Sequence, residues 1–162
     1  MCIEAVSGEN QIETIEALAE EIWSEHFTPI IGKAQVDYML GKFQSKQAIC
    51  EQINNGFLYF LIKSNDNYIG YFGMQLNKDH LLLSKLYIRA AERGTGFGRK
   101  AITFIEKLAI EQGASKISLT VNKYNSGTIE AYKRLGFKTT ESMVQDIGNG
   151  FVMDDYRMEK SV

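Results

Sequence analysis

The segment LYIRAAERGTGFGRKAI, residues 86–102, places three glycines and four basic side chains between an apolar run and a helical pattern. A strand, a glycine-rich loop and a helix start form an anion site in that order. Free N–H groups point out of the first helical turn, and the helix dipole adds about half a positive charge. Glycines at 94, 96 and 98 would let a phosphate reach the main chain without a Cβ in the way. The segment therefore predicts a phosphate-binding loop, with a flexible solvated loop as the alternative.

Positive charge is concentrated around this loop. Between positions 85 and 100 a single acid, Glu92, accompanies five basic residues: Lys85, Arg89, Arg93, Arg99 and Lys100. The local charge thus opposes the formal net charge of −2 of the whole chain, which favours an anionic ligand at this point.

The spacing disfavours two common phosphate ligands. A dinucleotide fingerprint, GxGxxG, counted from Gly94 requires a glycine where the chain has Arg99. It also requires an acid for a ribose hydroxyl near the end of the following strand, which here ends in Val121 and Asn122. A nucleoside triphosphate loop requires GKS or GKT, which the sequence lacks. A different phosphate-bearing ligand is therefore expected.

Two motifs resemble the signatures of the GCN-related N-acetyltransferases, the GNAT superfamily. The first is R-x-x-G-x-G, formed by Arg93, Gly96 and Gly98 after a strand that ends in LYI. The second is NSGTIEAYKRLGF, from Asn125 to Phe137. In the family, an asparagine opens this helix, a tyrosine lies two turns in, and Gly-Phe closes it. A helix and a strand separate the two motifs, as the family requires.

The resemblance implies both a fold and an activity. It covers roughly residues 81–137, and it departs from many members at Ala90, where they have proline, which should affect loop stiffness more than chemistry. The implied fold class is α/β, or α+β, with one N-acetyltransferase domain over residues 1–162. Its sheet is mixed and mostly antiparallel, with about seven strands and helices on both faces. The implied reaction is transfer of an acetyl group from acetyl-coenzyme A, as co-substrate, to a primary amine of a small molecule.

The identity of the acceptor stays open. Residues 21–40, EIWSEHFTPIIGKAQVDYML, are similar to the corresponding part of bacterial polyamine acetyltransferases, more weakly than the two motifs, so a polyamine is one predicted acceptor. A protein or peptide amino terminus is an alternative acceptor. The rival from another class is a non-catalytic sensor module that binds coenzyme A. The pair Tyr132 and Asn125 counts against the sensor, because a sensor needs no acid.

The resemblance also assigns roles to residues. The N–H of Ile88 would bind the oxyanion that forms at the thioester carbonyl. Tyr132 would act as general acid for the thiolate leaving group. Asn125, seven residues earlier on the same helix face, would cap the helix and hold the pantetheine arm. The rings of Tyr87 and Tyr124 are expected to be ordinary packing groups. The other predicted coenzyme A contacts are Leu86, Tyr87, Arg93, Gly94, Thr95, Gly96, Phe97, Gly98, Arg99 and Arg134.

The group that accepts the proton of the amine is not selected by the sequence. Candidate bases are Glu25, His26, Asp79 and His80, and a chain of water molecules would serve as well. A polycationic acceptor would be attracted to acids at the mouth of the cleft, with scattered solubilising charges as the alternative. The acids predicted to form this rim are Glu21, Glu25, Asp37, Asp154 and Asp155.

Bulk composition favours a globular protein with a small or cationic partner. The 162 residues are 44% hydrophobic, enough for one domain with its own core. The small negative net charge argues against nucleic-acid and anionic-membrane partners, which require a basic face. No apolar run approaches the roughly 18 residues of a membrane span, so the cytoplasm is the expected location.

Two cysteines, Cys2 and Cys50, are too few for a disulfide framework and lack the spacing of zinc ligands. Reduced thiols and no metal are therefore expected. The sequence leaves the oligomeric state open, with a homodimer as one option.

The periodicity of apolar residues predicts the element order βααβββαβαββ. Residues 2–7 are the first strand, and a helix runs from Asn10 to about Phe27, where TPIIG breaks it. A second helical region, between Gln35 and Asn55, is interrupted near Gly41 or Ser45. The other predicted strands are 56–63, 68–76, 80–88, 116–122, 137–147 and 151–159, and the other helices run from about Gly98 to Gly113 and from Asn125 to Leu135.

Overall fold

Seven strands form one sheet in the computed structural model, which describes every residue from Met1 to Val162. The strands are β1 (Cys2–Ala5), β2 (Leu58–Ser64), β3 (Asn67–Leu76), β4 (His80–Ile88), β5 (Lys116–Asn122), β6 (Lys138–Gly148) and β7 (Phe151–Ser161). Their order is β1-β2-β3-β4-β5-β7-β6. Strands β4 and β5 pair in parallel, whereas β1 with β2, β2 with β3, β5 with β7 and β6 with β7 are antiparallel. The predicted mixed, mostly antiparallel sheet of seven strands is confirmed.

The first helix, α1, spans Glu9–His26 and begins one residue before the predicted start. Gly8 is its N-cap, and the side-chain oxygen of Gln11 accepts the N–H groups of Ser7 (2.8 Å) and Gly8 (3.1 Å). The prediction that Asn10 opens the helix is therefore wrong, because a glutamine supplies the missing acceptor for these two N–H groups. The buried stripe predicted for this helix is confirmed at Ile12, Ile15, Leu18, Ala19 and Ile22.

The predicted break at TPIIG is confirmed, because α1 ends at His26 and TPII forms a separate short helix, α2 (Thr28–Ile31). The glycine of this segment, Gly32, separates α2 from the next helix, and its φ of +84° favours glycine. Helix α3 (Lys33–Met39) continues into a π-helix over Leu40–Gln44, and α4 spans Lys46–Asn54. Ser45 caps α4 by accepting the N–H of Ala48 at 3.2 Å. The predicted interruption near Gly41 or Ser45 is confirmed.

Two helices follow in the second half of the chain. Helix α5 spans Phe97–Glu111, and α6 spans Ser126–Arg134. A left-handed glycine follows each of them, Gly113 at φ +77° and Gly136 at φ +96°, as the sequence predicts for helix ends.

Residue packing groups the chain into two compact units. The first comprises Met1–Gln75 and Ser84–Phe104, and the second comprises Leu76–Leu83 and Ile105–Val162. The single domain expected over residues 1–162 stays a prediction.

In the first unit, aromatic side chains pack on both faces of the strands, because successive residues of a strand point to opposite sides. On one face Phe60 stacks on Phe72, with ring centroids 4.9 Å apart, and Phe104 of α5 meets Phe60 edge-on at 5.6 Å. On the other face the ring of Tyr71 lies 5.6 Å from that of Tyr87.

In the second unit, the core is mostly aliphatic, with Phe137 as a buried aromatic side chain. Its fully buried side chains include Ile105 and Ala109 of α5, Ile117 of β5 and Met158 of β7. No helix of the chain combines the length and the apolar character that crossing a membrane requires.

Candidate active site

The loop between β4 and α5 has a defined conformation. A 3-10 turn over Ala90–Glu92 follows β4, and the Thr95 hydroxyl donates to the Glu92 carbonyl at 2.6 Å. Gly94 and Gly96 have φ of +76° and +89°, a region in which a side chain is strained. The two glycines are therefore required by the backbone path of the loop itself.

The same loop leaves room for a ligand at the start of α5. A Cβ added at Gly94 or Gly96 would meet nothing within 4 Å, and one at Gly98 would meet only the Ile88 side chain at 3.9 Å. The first hydrogen bond of the helix runs from the Lys100 N–H to the Gly96 carbonyl at 3.1 Å. The N–H groups of the preceding three residues, 97–99, thus have no acceptor within the helix. These features suit a bound phosphate.

Only part of the predicted positive charge faces this loop. Arg99 and Lys100 are exposed at the start of α5. Arg89 lies in an ion pair with Glu21 of α1 at 2.8 Å, and Lys85 is only 7% exposed. The prediction that all five basic residues contribute to the loop is therefore wrong for Lys85, because its side chain points into the core.

Arg93 ties the loop to β4 and to α1. Its Nε donates to the Ile88 carbonyl at 3.0 Å, and its terminal nitrogen lies 3.3 Å from Nδ1 of His26. Both contacts use the side chain to hold the loop, so the conformation of the segment depends on this arginine.

The end of β4 presents backbone N–H groups along an edge that no strand covers. The Arg89 N–H donates to the Ile69 carbonyl of β3 at 2.8 Å. Because backbone groups of alternate residues point to opposite edges, those of Leu86 and Ile88 face away from β3. The pairing of β4 with β5 covers only His80–Leu82, so it does not reach them. The Ile88 N–H is therefore available to an acceptor from outside the sheet.

Strand β3 approaches this end of β4 unusually closely at Gly70. A Cβ at Gly70 would lie 2.4 Å from the Tyr87 carbonyl oxygen and 3.1 Å from the Ile88 Cα. Any larger residue would push β4 away, so this glycine fixes the position of the Ile88 N–H.

The Tyr87 ring packs with other aromatic rings. Its centroid lies 5.4 Å from that of Trp23, 6.0 Å from that of Phe27 and 5.6 Å from that of Tyr71. The prediction of an ordinary packing role is confirmed for Tyr87. It is wrong for Tyr124, which is 69% exposed.

Lys85 is a buried cationic residue without a carboxylate partner. Its Nζ donates to the Phe43 carbonyl and to Oε1 of Gln52, both at 2.8 Å, and to the Tyr59 hydroxyl, which in turn donates to Gln52. Burial lowers the pKa of Lys85 from near 10.5 to about 7. The lysine lies on the same face of β4 as the buried Leu81 and Leu83. Because Leu82 places an apolar residue on the opposite face, the sequence did not show that the face of Lys85 would be the buried one.

In the second unit, Tyr132 lies two turns into α6. Its ring is partly exposed and meets Phe137 edge-on at 5.4 Å. Burial raises the pKa of the Tyr132 hydroxyl above its usual value near 10. The phenol therefore remains protonated at neutral pH and can donate a hydrogen bond.

Asn125 occupies the N-cap position of α6 but does not cap it. The side chain accepts no capping hydrogen bond, although the backbone carbonyl accepts the Ile129 N–H at 3.1 Å. The prediction that this side chain caps the helix is wrong. The residue is 7% exposed, and its N–H donates to the Asn122 carbonyl at 3.0 Å. Arg134 is exposed at the last position of α6, where its positive charge interacts favourably with the helix dipole.

The predicted acidic rim is partly neutralised. Glu21 pairs with Arg89 at 2.8 Å, and Asp37 with Lys33 at 2.5 Å. Asp154 lies 2.6 Å from the Lys123 ammonium. Three of the five acids thus have their own cation, which weakens the expected attraction of a polycation.

The structure selects none of the four predicted bases. Asp79 and His80 contact each other at 3.0 Å at the amino-terminal end of β4. Ile88 is the last residue of this strand, so the two side chains lie at the opposite end of β4 from it. Glu25 is exposed on α1, and His26 contacts Arg93 and packs edge-on against Phe27, 4.8 Å between ring centroids.

Asp155 is a carboxylate whose burial the sequence did not predict. It is 5% exposed, and desolvation raises its pKa to about 6, with a smaller contribution from the neighbouring Asp154. The sequence does not show which of the two adjacent aspartates, Asp154 or Asp155, is buried, because either one could lie on the exposed face of the strand.

Comparisons with known proteins find the same fold. The fold resembles the PaiA N-acetyltransferase from Thermoplasma acidophilum, whose structure contains coenzyme A: the TM-score is 0.81 with 21% identity over 100% of both chains. It also resembles the ribosomal-protein-S18-alanine N-acetyltransferase from Escherichia coli, with a TM-score of 0.75 and 14% identity over 99% of this chain and 93% of that one. At these identities the likeness concerns the fold.

Sequence relatives cover a shorter part of the chain. A thialysine N-epsilon-acetyltransferase from Bos taurus is 32% identical over 57 residues, which are 35% of this chain and 34% of that protein. The chain thus aligns with about a third of that relative's length. The family model described as the acetyltransferase (GNAT) family matches residues 15–137, well over half of the chain. The chain therefore belongs to the acetyltransferase (GNAT) family.

Proposed function

We propose that this protein transfers the acetyl group of acetyl-coenzyme A to a primary amine of a small molecule. The main support for the proposal is the open glycine loop at the start of α5. There, the backbone N–H groups of residues 97–99 lack acceptors within the helix, and the side chains of Arg99 and Lys100 are exposed. Family membership and the coenzyme A bound to the Thermoplasma relative support the same ligand.

The loop would bind the pyrophosphate of the co-substrate. The N–H groups of residues 97–99 supply donors, and Arg99 and Lys100 supply charge. Arg93 would act mainly by ordering the loop, since its contacts are to the Ile88 carbonyl and His26. The free edge at Leu86 would accompany the amide groups of the pantetheine arm.

The last N–H of β4 would stabilise the reaction. As the amine attacks, the thioester carbonyl oxygen gains negative charge, and the Ile88 N–H would donate to it. One such donor is worth about 2.7 to 4 kcal/mol in other acyl transfers. The close approach of β3 at Gly70 holds that donor in place before the substrate binds.

Tyr132 would serve the leaving group. The thiolate of coenzyme A has a conjugate acid with a pKa near 8.5, below that of the phenol. Because burial raises the pKa of Tyr132 further, the hydroxyl would stabilise the thiolate first by a hydrogen bond and complete the proton transfer as the thiol leaves.

A small amine is the proposed acceptor. The relative from Bos taurus is named for acetylation of an amino group on a small molecule, and the PaiA relative is an N-acetyltransferase. Spermidine belongs among the amines to be tested, although the ion pairs of Glu21, Asp37 and Asp154 reduce the negative charge that would attract it.

The test is thiol release from acetyl-coenzyme A with a panel of amines. The panel contains spermidine, lysine, thialysine, a neutral-tailed primary amine and a peptide with a free amino terminus. Thiol release with one of the small amines is the expected result. Turnover of the peptide alone would favour protein acetylation. Coenzyme A binding without turnover of any amine would contradict catalysis and favour a sensor.

A glycine-to-alanine pair tests the loop. Gly98 and Gly127 are the second residues of α5 and α6, and neither has a positive φ or a crowded Cβ position. Alanine at either position should maintain or raise the melting temperature, because it favours the helix by up to about 1 kcal/mol. Gly98→Ala should weaken coenzyme A binding by about tenfold or more in calorimetry, whereas Gly127→Ala should leave it unchanged. Equal affinity in both variants would remove the start of α5 from the site.

A further inference from the structure

Asp155 lies on β7 at the point where β5 ends. Its Cα pairs with Asn122, the last residue of β5, and with Met143 of β6 on the other side. Only 5% of the residue is exposed. The carboxylate is therefore largely withdrawn from water in the middle of three adjacent strands.

No hydrogen bond or close ion pair of the protein reaches this carboxylate, and Lys123 acts on it only at longer range, lowering its pKa less than burial raises it. Lys123 is the nearby cation, and it lies 2.6 Å from Asp154 instead. On the same face of β7, Arg157 is 3.7 Å from Glu141. None of the hydrogen bonds of the structure is donated to the Asp155 side chain. A buried carboxylate without a contacting partner is unfavourable unless it binds a proton or a ligand supplies a positive charge.

The position of Asp155 connects it to the proposed chemistry. Asn122 begins the turn that leads into α6, and its carbonyl accepts the Asn125 N–H at 3.0 Å. Helix α6 carries Tyr132, the proposed acid. The carboxylate of Asp155 and the turn that leads into α6 therefore lie at the same end of the β5–β7 pair, where β5 ends.

We propose that the carboxylate of Asp155 receives the reacting ammonium group of the acceptor amine and takes its first proton. This inference rests on the proposed function and deepens it. The acceptor is a primary ammonium, and its charge supplies the contacting counter-ion that Asp155 lacks, since the Lys123 ammonium contacts Asp154 instead. The charged neighbours are the Lys123–Asp154 and Arg157–Glu141 pairs, each already matched within itself.

The protons and bonds balance in this scheme. The ammonium gives one proton to Asp155, and the freed nitrogen lone pair forms the C–N bond. The C–S bond breaks, and its electron pair stays on sulfur, which takes a proton from Tyr132. The second nitrogen proton restores the tyrosine through water, and Asp155 later releases its own proton to water. Desolvation raises the pKa of Asp155 to about 6, closer to neutrality than an ordinary aspartate, which makes it a better proton acceptor.

Asp155→Asn is the first test, with Glu141→Gln as the matched control. Both changes remove one carboxylate from the β6–β7 hairpin, but Glu141 is exposed. Asp155→Asn should lower kcat/KM for the amine by about 100-fold or more. Coenzyme A affinity should stay within about twofold, and Asp155→Glu should recover part of the activity. Glu141→Gln should retain native kcat/KM.

A carbon NMR titration of the Asp155 carboxyl group in the native protein is the second test, and it needs no variant. Saturation with an amine that the enzyme acetylates should lower the pKa of this group by about one unit or more, because a bound ammonium favours the charged form. An unchanged pKa, or full amine turnover in Asp155→Asn, would overturn the inference while native thiol release leaves the proposed function intact. Absence of thiol release in the native protein would instead refute the proposed function.

Discussion

Replacing Lys85 with methionine should remove a rise in stability that the native protein shows at alkaline pH. Burial lowers the pKa of Lys85 to about 7 in the folded chain, compared with about 10.5 when unfolded. One pKa unit corresponds to about 1.36 kcal/mol, so the difference is worth at most about 5 kcal/mol. The side chain is only 7% exposed, so solvent screening reduces this figure little.

The sign follows from proton binding. Between pH 7 and 10.5 the unfolded chain holds a proton on this lysine that the folded chain has lost. The free energy of unfolding therefore rises with pH through that window. From pH 7.5 to 9.5 the contribution of Lys85 to this rise is about 2.5 kcal/mol. Methionine retains an unbranched apolar side chain at the position and does not titrate.

Urea denaturation of both proteins at pH 7.5, 8.5 and 9.5 measures the effect. The stability of the native protein relative to Lys85→Met should increase by about 2.5 kcal/mol across this range, whatever the absolute loss caused by the missing hydrogen bonds. Lys78→Met, at an exposed lysine in the turn before β4, should show the native pH dependence. Parallel curves for the native protein and Lys85→Met would show that the ammonium is not desolvated.

Three further outcomes are expected. Tyr132→Phe keeps the ring but removes the proton, so kcat should fall by about 100-fold with unchanged coenzyme A affinity; equal turnover would assign the proton to another group. Gly70→Ala should lower the melting temperature and kcat together, because its Cβ would lie 2.4 Å from the Tyr87 oxygen, whereas Gly41→Ala, with an open Cβ position, should not. Asp155→Asn should raise the free energy of unfolding at pH 7.5 by about 1 to 2 kcal/mol after discounting for solvent screening, and this gain should disappear near pH 4. The reason is that the pKa of Asp155 is raised to about 6 in the folded protein, so the stability of the native protein falls as the pH rises from about 4 to 6. A stability difference that does not change with pH would contradict the raised pKa.

The element order could be predicted because each pattern has a local cause. Alternating apolar residues mark β2 to β4, helical spacing marks α1 and α5, and left-handed glycines end the helices at Gly113 and Gly136. The errors at the helix starts have one origin. Gln11 and not Asn10 completes the start of α1, and Asn125 does not cap α6, since the capping partner depends on side-chain directions that spacing does not specify.

The glycine loop also shows a difference between what local sequence predicts and what packing decides. The positive φ of Gly94 and Gly96 and the position of Gly98 at the start of α5 follow from local sequence, so the conformation of this loop could be predicted. The contacts of the charged side chains around the loop could not be predicted. Arg89 finds Glu21 on a helix 68 residues earlier in the chain, and Lys85 turns into the core to meet Phe43 and Gln52.

The sequence by itself determined the family signatures, the strand and helix order and the open glycine loop before α5, because these depend on residues close together in the chain. Only the tertiary structure decided which charged groups are buried. Lys85 and Asp155 are as polar as any surface residue when read in sequence, yet packing from distant segments removes both from water. Desolvation then moves both pKa values toward neutrality, and this property exists only when the chain is folded.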